Sequence, residues 1–140
     1  MIYTDLVRKA ANISFEAHKN DKDKGGYPYF MHPMTLALQF DDEAAVCVAL
    51  LHDVIEDHGD VYSLSYLKEQ GFPDSVLDAL VLLTHDKDVP YLDYVRKIKE
   101  NDIARRVKLA DLKHNSIAAR NHGIKPPKYD LYQEAIEILE

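Results

Sequence analysis

Residues 44–57 read AAVCVALLHDVIED, and this stretch decides the fold. Residues 46–51 are apolar at every position, the pattern of a helix buried on all sides. His52, Asp53, Glu56 and Asp57 follow at once, interleaved with Val54 and Ile55. The pairs 52/56 and 53/57 are spaced i, i+4, which puts the polar groups on one helical face. Three carboxylates there, without Lys or Arg, repel one another and are costly to desolvate. A divalent cation removes that penalty. The plainer alternative, a charged helix end turned to water, gains nothing from the macrodipole, which disfavours acids at a helix C-terminus. Imidazole beside carboxylate suits Mn²⁺, Fe²⁺ or Zn²⁺ with positions left for water and substrate.

Outward from this segment the periodicity stays helical, with no alternating run that reads as a strand. Asp41 or Asp42 caps the helix expected over residues 43–57, and Gly59 marks its end. Upstream, Thr4 caps a helix whose Leu6, Val7, Ala10, Ile13 and Ala17 share a face. Residues 19–29, KNDKDKGGYPY, form a polar loop, after which Pro33 suits the first turn of a short helix through residue 40. Downstream, helices are expected over residues 63–70, from Pro73 to about 85, over 91–100, and from a cap at Asp102 to 121 before Gly123. A last helix follows Pro126-Pro127 and buries Leu131, Ala135, Ile136 and Leu139. With no repeat and no linker, the expectation is an all-α fold, one orthogonal helical bundle in one domain spanning 1–140.

Composition narrows the partners. A net charge of −7 argues against nucleic acid polymers and anionic membranes, which need a positive surface. The longest apolar run is too short to cross a bilayer, and the N-terminus lacks a signal-peptide pattern. The lone Cys47 sits among aliphatic residues as a small buried hydrophobe, which fits a reducing, cytoplasmic setting. Residues 41–60 carry seven carboxylates and no Lys or Arg, whereas residues 95–113 hold seven basic side chains against three acids. That asymmetry suits a cation site that also receives an anionic ligand.

Two further segments are candidates to complete the shell. In YPYFMHP (27–33), His32 sits at the edge of a Pro-led helix; alone it reads as a cap or core histidine. In RVKLADLKHN (106–115), Lys108, Asp111 and Asn115 share one helix face, and Asp111 is framed by Val107, Leu109, Ala110 and Leu112. A carboxylate so placed, with Lys and Asn beside it, reads as a ligand with a substrate-binding fringe. The remaining histidines (His18, His58, His85, His114 and His122) are taken as structural or exposed.

PYFMHP, LLHDVIED and VKLADLKHN, in this order, resemble the HD phosphohydrolase superfamily. The likeness is closest to the hydrolase domain of the Rel/SpoT alarmone enzymes and to the single-domain small alarmone hydrolases. The resemblance implies an HD-type bundle and a Mn²⁺ centre made by His32, His52, Asp53 and Asp111, with Glu56 and Asp57 assisting the attacking water. It implies removal of pyrophosphate from the 3′ position of guanosine tetra- or pentaphosphate, the chemistry of the stringent response. Lys24, Tyr29 and Asn115 match substrate-contacting positions, and Lys108 would offset substrate charge. A chain of 140 residues is expected to hold no synthetase domain; homo-oligomerisation is left open.

The chain also departs from the family pattern. An Arg-Lys pair is usual in the loop, and here it is Asp23-Lys24. Tyr27 replaces a common glutamate, and Ser-Ile-Ala-Ala follows Asn115 where Met-Arg-Thr-Leu is common. The missing arginine separates an alarmone hydrolase from an HD nucleotidase or pyrophosphohydrolase with another nucleotide. A non-catalytic nucleotide or metal sensor is the third reading, and it would have no need of the Glu56-Asp57 pair.

Overall fold

A computed structural model describes residues 1–140. The fold is built around α3 (Glu43–His58), whose residues 45–52 and Val54 are all buried. Four helices enclose it: α1 (Asp5–His18), α2 (Met31–Ala37), α5 (Asp74–Leu83) and α7 (Asp102–Asn115). The unbroken apolar run thus records a helix with neighbours on every side. Each fully buried Leu or Val contributes about 1.5–3 kcal/mol, so Val46, Val48, Leu50 and Leu51 anchor the bundle. The short α4 (Leu64–Glu69), α6 (Tyr91–Ile98) and α8 (Tyr129–Leu139) close the outer side, and one core runs through all of them. No strand is present; Lys22 and Pro28 make a single antiparallel bridge across the α1–α2 loop.

Side-chain caps set most helix starts. Thr4, Asp42 and Ser63 accept hydrogen bonds from the amides of Val7, Ala45 and Tyr66. The cap of α7 is Asn101, not Asp102: its side chain takes the Ala104 amide at 2.9 Å, and Asp102 becomes the first helical residue. Nor does α7 reach residue 121. It stops at Asn115, where the Ser116 hydroxyl turns back onto the Leu112 carbonyl at 2.8 Å, and a separate 3₁₀ turn (Ala118–Asn121) follows. Four other ends fall short of their sequence expectation, α2 at Ala37, α4 at Glu69, α5 at Leu83 and α6 at Ile98. The interrupted end of α7 matters, because it carries its last residues and the 3₁₀ turn over the mouth of the site.

Candidate active site

The site lies where α2, α3 and α7 meet. His32 is the second residue of α2, His52 and Asp53 are the tenth and eleventh of the 16 residues of α3, and Asp111 is the tenth of the 14 residues of α7. One donor atom from each of the four lies within 4.8 Å of the others. His32 Nε2 is 2.8 Å from Asp111 Oδ1 and 3.8 Å from Asp53 Oδ2; His52 Nε2 is 3.1 Å from Asp53 Oδ2 and 3.5 Å from Asp111 Oδ1. Donors about 2.1 Å from one ion sit about 3.0–3.4 Å apart on an octahedral or tetrahedral shell, a range that the observed 2.8–3.8 Å brackets.

The chemistry of these donors tests the fit. His52 Nδ1–H donates to the Ala49 carbonyl at 2.7 Å, leaving Nε2 facing the carboxylates. That buried nitrogen has no aligned hydrogen-bond partner, although oxygens lie close on two sides. A nitrogen facing carboxylate oxygens in this way needs a proton or a metal ion between them. Burial pushes the His52 imidazole down, but Asp53 and Asp111 carry it well above its ordinary range. Burial likewise opposes the charged forms of both aspartates. The His52 charge outweighs it for Asp53, lowered to about 2, and Lys108 leads in holding Asp111 well below the usual carboxylate range. The cluster therefore calls for a cation at its centre, and a divalent metal ion fits.

Neighbouring groups fix the donors. Asp111 accepts from Lys108 Nζ at 2.9 Å and from Asn115 Nδ2 at 3.1 Å. Tyr29 donates its hydroxyl to Asp53 Oδ2 at 2.6 Å. Most informative is His114, whose Nδ1 lies 2.7 Å from His32 Nδ1 with the rings stacked, 8° from parallel. For His32 Nε2 to hold an ion, its Nδ1 must carry the hydrogen and donate to His114. Burial, then the Arg120 charge, lowers His114 to about 4, so it stays neutral and able to accept. His114 thus orients His32, and its assignment as a merely structural or exposed residue is corrected. Its spacing from His32 along the chain gives no periodic signal; only the α2–α7 packing reveals the pair.

The other expected residues take distinct places. Glu56 and Asp57 are exposed at the end of α3, outside the donor quartet. Glu56 accepts from the His85 amide at 3.3 Å. Partial burial and the Asp53 charge hold both carboxyls above their ordinary range. Lys108 is committed to Asp111 and lies over the rings of Tyr94 and Tyr91 at 5.6 and 5.8 Å. Lys24, Tyr29 and Asn115 line a cavity of about 260 Å³ with Lys22, Arg120 and Lys128. Tyr29 and Asn115 also bind the two aspartates, so the cavity and the cluster share these two side chains, although none of the four donors lines the cavity.

Arg120, on the 3₁₀ turn, escaped the sequence reading. Its guanidinium donates to Asn115 Oδ1 at 2.8 Å and pairs with Asp23 Oδ2 at 3.5 Å. Asp23 meanwhile accepts the Gly25 and Tyr27 amides, both at 2.9 Å, which shapes the loop. The acidic loop residue thus faces a cation brought from the far end of the chain.

Fold and site together define an all-helical domain with a His₂Asp₂ cluster that could hold a metal ion. No family model matches the chain. The guanosine-3′,5′-bis(diphosphate) 3′-pyrophosphohydrolase MESH1 of Xenopus tropicalis is 32% identical over 123 residues, covering 79% of this chain and 67% of that protein. The GTP pyrophosphokinase rsh of Brucella melitensis and a probable guanosine-3′,5′-bis(diphosphate) 3′-pyrophosphohydrolase of Mycoplasma pneumoniae are each 41% identical over 56 residues, 37% of this chain; the chain covers 8% of the length of either. A solved structure of a metazoan ortholog of SpoT that hydrolyses ppGpp superposes with TM-score 0.76 over 100% of this chain and 88% of its own, at 21% identity, the same fold. The chain belongs to the HD phosphohydrolase superfamily, in the group that holds MESH1 and the Rel/SpoT hydrolase domains.

Proposed function

We propose that residues 1–140 act as a single metal-dependent phosphohydrolase domain that removes the 3′-pyrophosphate from guanosine tetra- or pentaphosphate. The observation that carries this reading is the adjacency of a cation-demanding His₂Asp₂ cluster and a cavity edged by Lys22, Lys24, Arg120 and Lys128. A highly phosphorylated nucleotide is the ligand whose charge both parts balance. The MESH1 relative, a guanosine-3′,5′-bis(diphosphate) 3′-pyrophosphohydrolase, supports the same substrate.

In this mechanism His32, His52, Asp53 and Asp111 hold the ion, with Mn²⁺ assigned and Fe²⁺ or Zn²⁺ sharing the donor chemistry. When bound, such an ion lowers the pKa of water and polarises a phosphoryl oxygen. Glu56 or Asp57, both held above the ordinary carboxyl range, takes a proton from the water that adds to phosphorus. The bond from phosphorus to the ribose 3′ oxygen breaks, that oxygen gains a proton, and pyrophosphate leaves. Lys24 and Arg120 offset the substrate charge, and Tyr29 and Asn115 contact the nucleotide while steadying Asp53 and Asp111. Lys108 acts through Asp111.

The deciding assay incubates Mn²⁺-loaded protein with guanosine tetraphosphate and with a panel of other phosphorylated nucleotides. Pyrophosphate release from the tetraphosphate, lost in Asp53→Ala, is expected. Turnover of a different nucleotide alone would reassign the substrate, the outcome Asp23 in place of the family's arginine argues for. Ligand binding without any turnover would make the chain a sensor. No helix is long and apolar enough to cross a membrane.

A further inference from the structure

Beyond this centre, a second set of donors converges on the other side of Tyr29. His18 ends α1, Asp21 lies in the turn that follows, and His58 ends α3. His58 Nε2 is 2.6 Å and His18 Nδ1 3.2 Å from the same oxygen, Asp21 Oδ2. One donor from each falls within 4.8 Å of the others. The 3.2 Å separation falls among those of the His₂Asp₂ cluster, which serves as an internal standard, and the 2.6 Å one is shorter, that of a direct hydrogen bond. We propose that His18, Asp21 and His58 form a second binding site for a divalent transition metal, independent of the first.

Several features favour an ion over a plain hydrogen-bonded trio. No Lys or Arg pairs with Asp21, so two imidazoles are its only partners. His18 is fully enclosed, with its ring 4.9 Å from that of Tyr29 and 5.5 Å from that of His58. On the outer side, His58 and Asp21 are 30% and 34% exposed, which leaves an entry path and open positions for water. Two imidazoles and one carboxylate with open positions are a borderline-metal donor set, suited to Zn²⁺, Co²⁺ or Fe²⁺ and poorly suited to Mg²⁺ or Ca²⁺.

The placement gives the ion a task. It would tie the ends of α1 and α3 to the loop that carries Lys22, Lys24 and Tyr29, the wall of the nucleotide cavity. Occupancy of this site therefore sets how firmly that wall is held, and nucleotide KM falls when it is filled.

The test compares the full-length chain with Asp53→Ala, His58→Ala and the double variant, each stripped by chelator, loaded with Zn²⁺ and separated from free metal. Elemental analysis is expected to give about two equivalents for the parent, about one for each single variant and none for the double variant. Co²⁺ loading of Asp53→Ala should add visible bands that disappear in the double variant. Asp21→Asn provides a second removal should His58→Ala fold poorly by circular dichroism. Equal metal in Asp53→Ala and in the two variants that add His58→Ala or Asp21→Asn to it would overturn the proposal. Undiminished metal in Asp53→Ala would instead count against the first centre, so the two failures are told apart.

Discussion

His114 offers a sharp test of how the first centre is organised, because it touches no substrate and no ion. Replacing it with Ala removes the acceptor that lies 2.7 Å from His32 Nδ1. His32 is 2% exposed, so water cannot easily take its place. The imidazole then either keeps an unpaired buried N–H, at about 1–3 kcal/mol, or moves its hydrogen to Nε2 and ceases to be a ligand. Both routes weaken the ion's hold by the same order, about 10- to 100-fold in affinity. The assay is chelator competition for Mn²⁺, followed by turnover at saturating metal. His114→Asn, whose carboxamide oxygen reaches the place of Nδ1, should recover most of the loss. Metal affinity within about twofold of the parent for His114→Ala would refute the argument, since 1.4 kcal/mol corresponds to tenfold.

Other perturbations follow from single contacts. Glu56→Gln should keep its metal and lose about 10²–10⁴-fold in kcat, measured by pyrophosphate release; full activity would remove the carboxylate from the mechanism. Asp42→Ala loses the cap of α3 and the two-pronged Arg106 contact at 3.0 and 3.3 Å, which should cost about 1–2 kcal/mol, mostly through the cap because the pair is half-exposed. The Arg106 hydrogen bond leads in lowering the Asp42 carboxyl, so this stability is present above the ordinary carboxylate pKa and fades as pH falls through the lowered one. Thermal melts of parent and variant should therefore converge in acid. A Cβ at Gly25 would collide with the Arg120 carbonyl, whereas one at Gly26 meets nothing but a φ of +86°. Gly25→Ala should cut kcat/KM about tenfold or more by pushing the loop off the 3₁₀ turn, and Gly26→Ala should cost about 1–2 kcal/mol of stability with KM little changed.

The architecture was legible because α3 carries two signals that do not compete. Its apolar run declares burial on all sides, and the i, i+4 polar groups beyond it declare where the helix meets the site. Helix ends were less legible. Periodicity continues through Ser116 and Ile117, yet the Ser116 hydroxyl bonds back to Leu112 and His122 adopts a left-handed φ of 56°, local choices that apolar spacing does not encode. Likewise Asn101 and Asp102 are both good caps by residue type, and only the Ala104 amide decides between them.

The site divides along the same line between local and non-local information. The His52-Asp53 pair lies on one helix, so spacing reveals it. His114 and His32 meet only because α2 packs on α7, and His18, Asp21 and His58 only because α1 packs on α3. Arg120 sharpens the point. Compared position by position, the loop has lost an arginine and gained Asp23, which reads as a weakened anion site. In space the acid is matched, since Asp23 pairs with Arg120, and Arg120 in turn reaches the Asn115 that holds Asp111. A positive group is thus retained at the cavity wall although its position in the chain has moved. If that group serves the nucleotide, Arg120→Ala should raise KM about tenfold or more, as for a charge-assisted hydrogen bond of about 1.5–3 kcal/mol, and leave metal content unchanged. A KM unmoved by that substitution, with kcat intact, would mean that the guanidinium serves only to hold the loop.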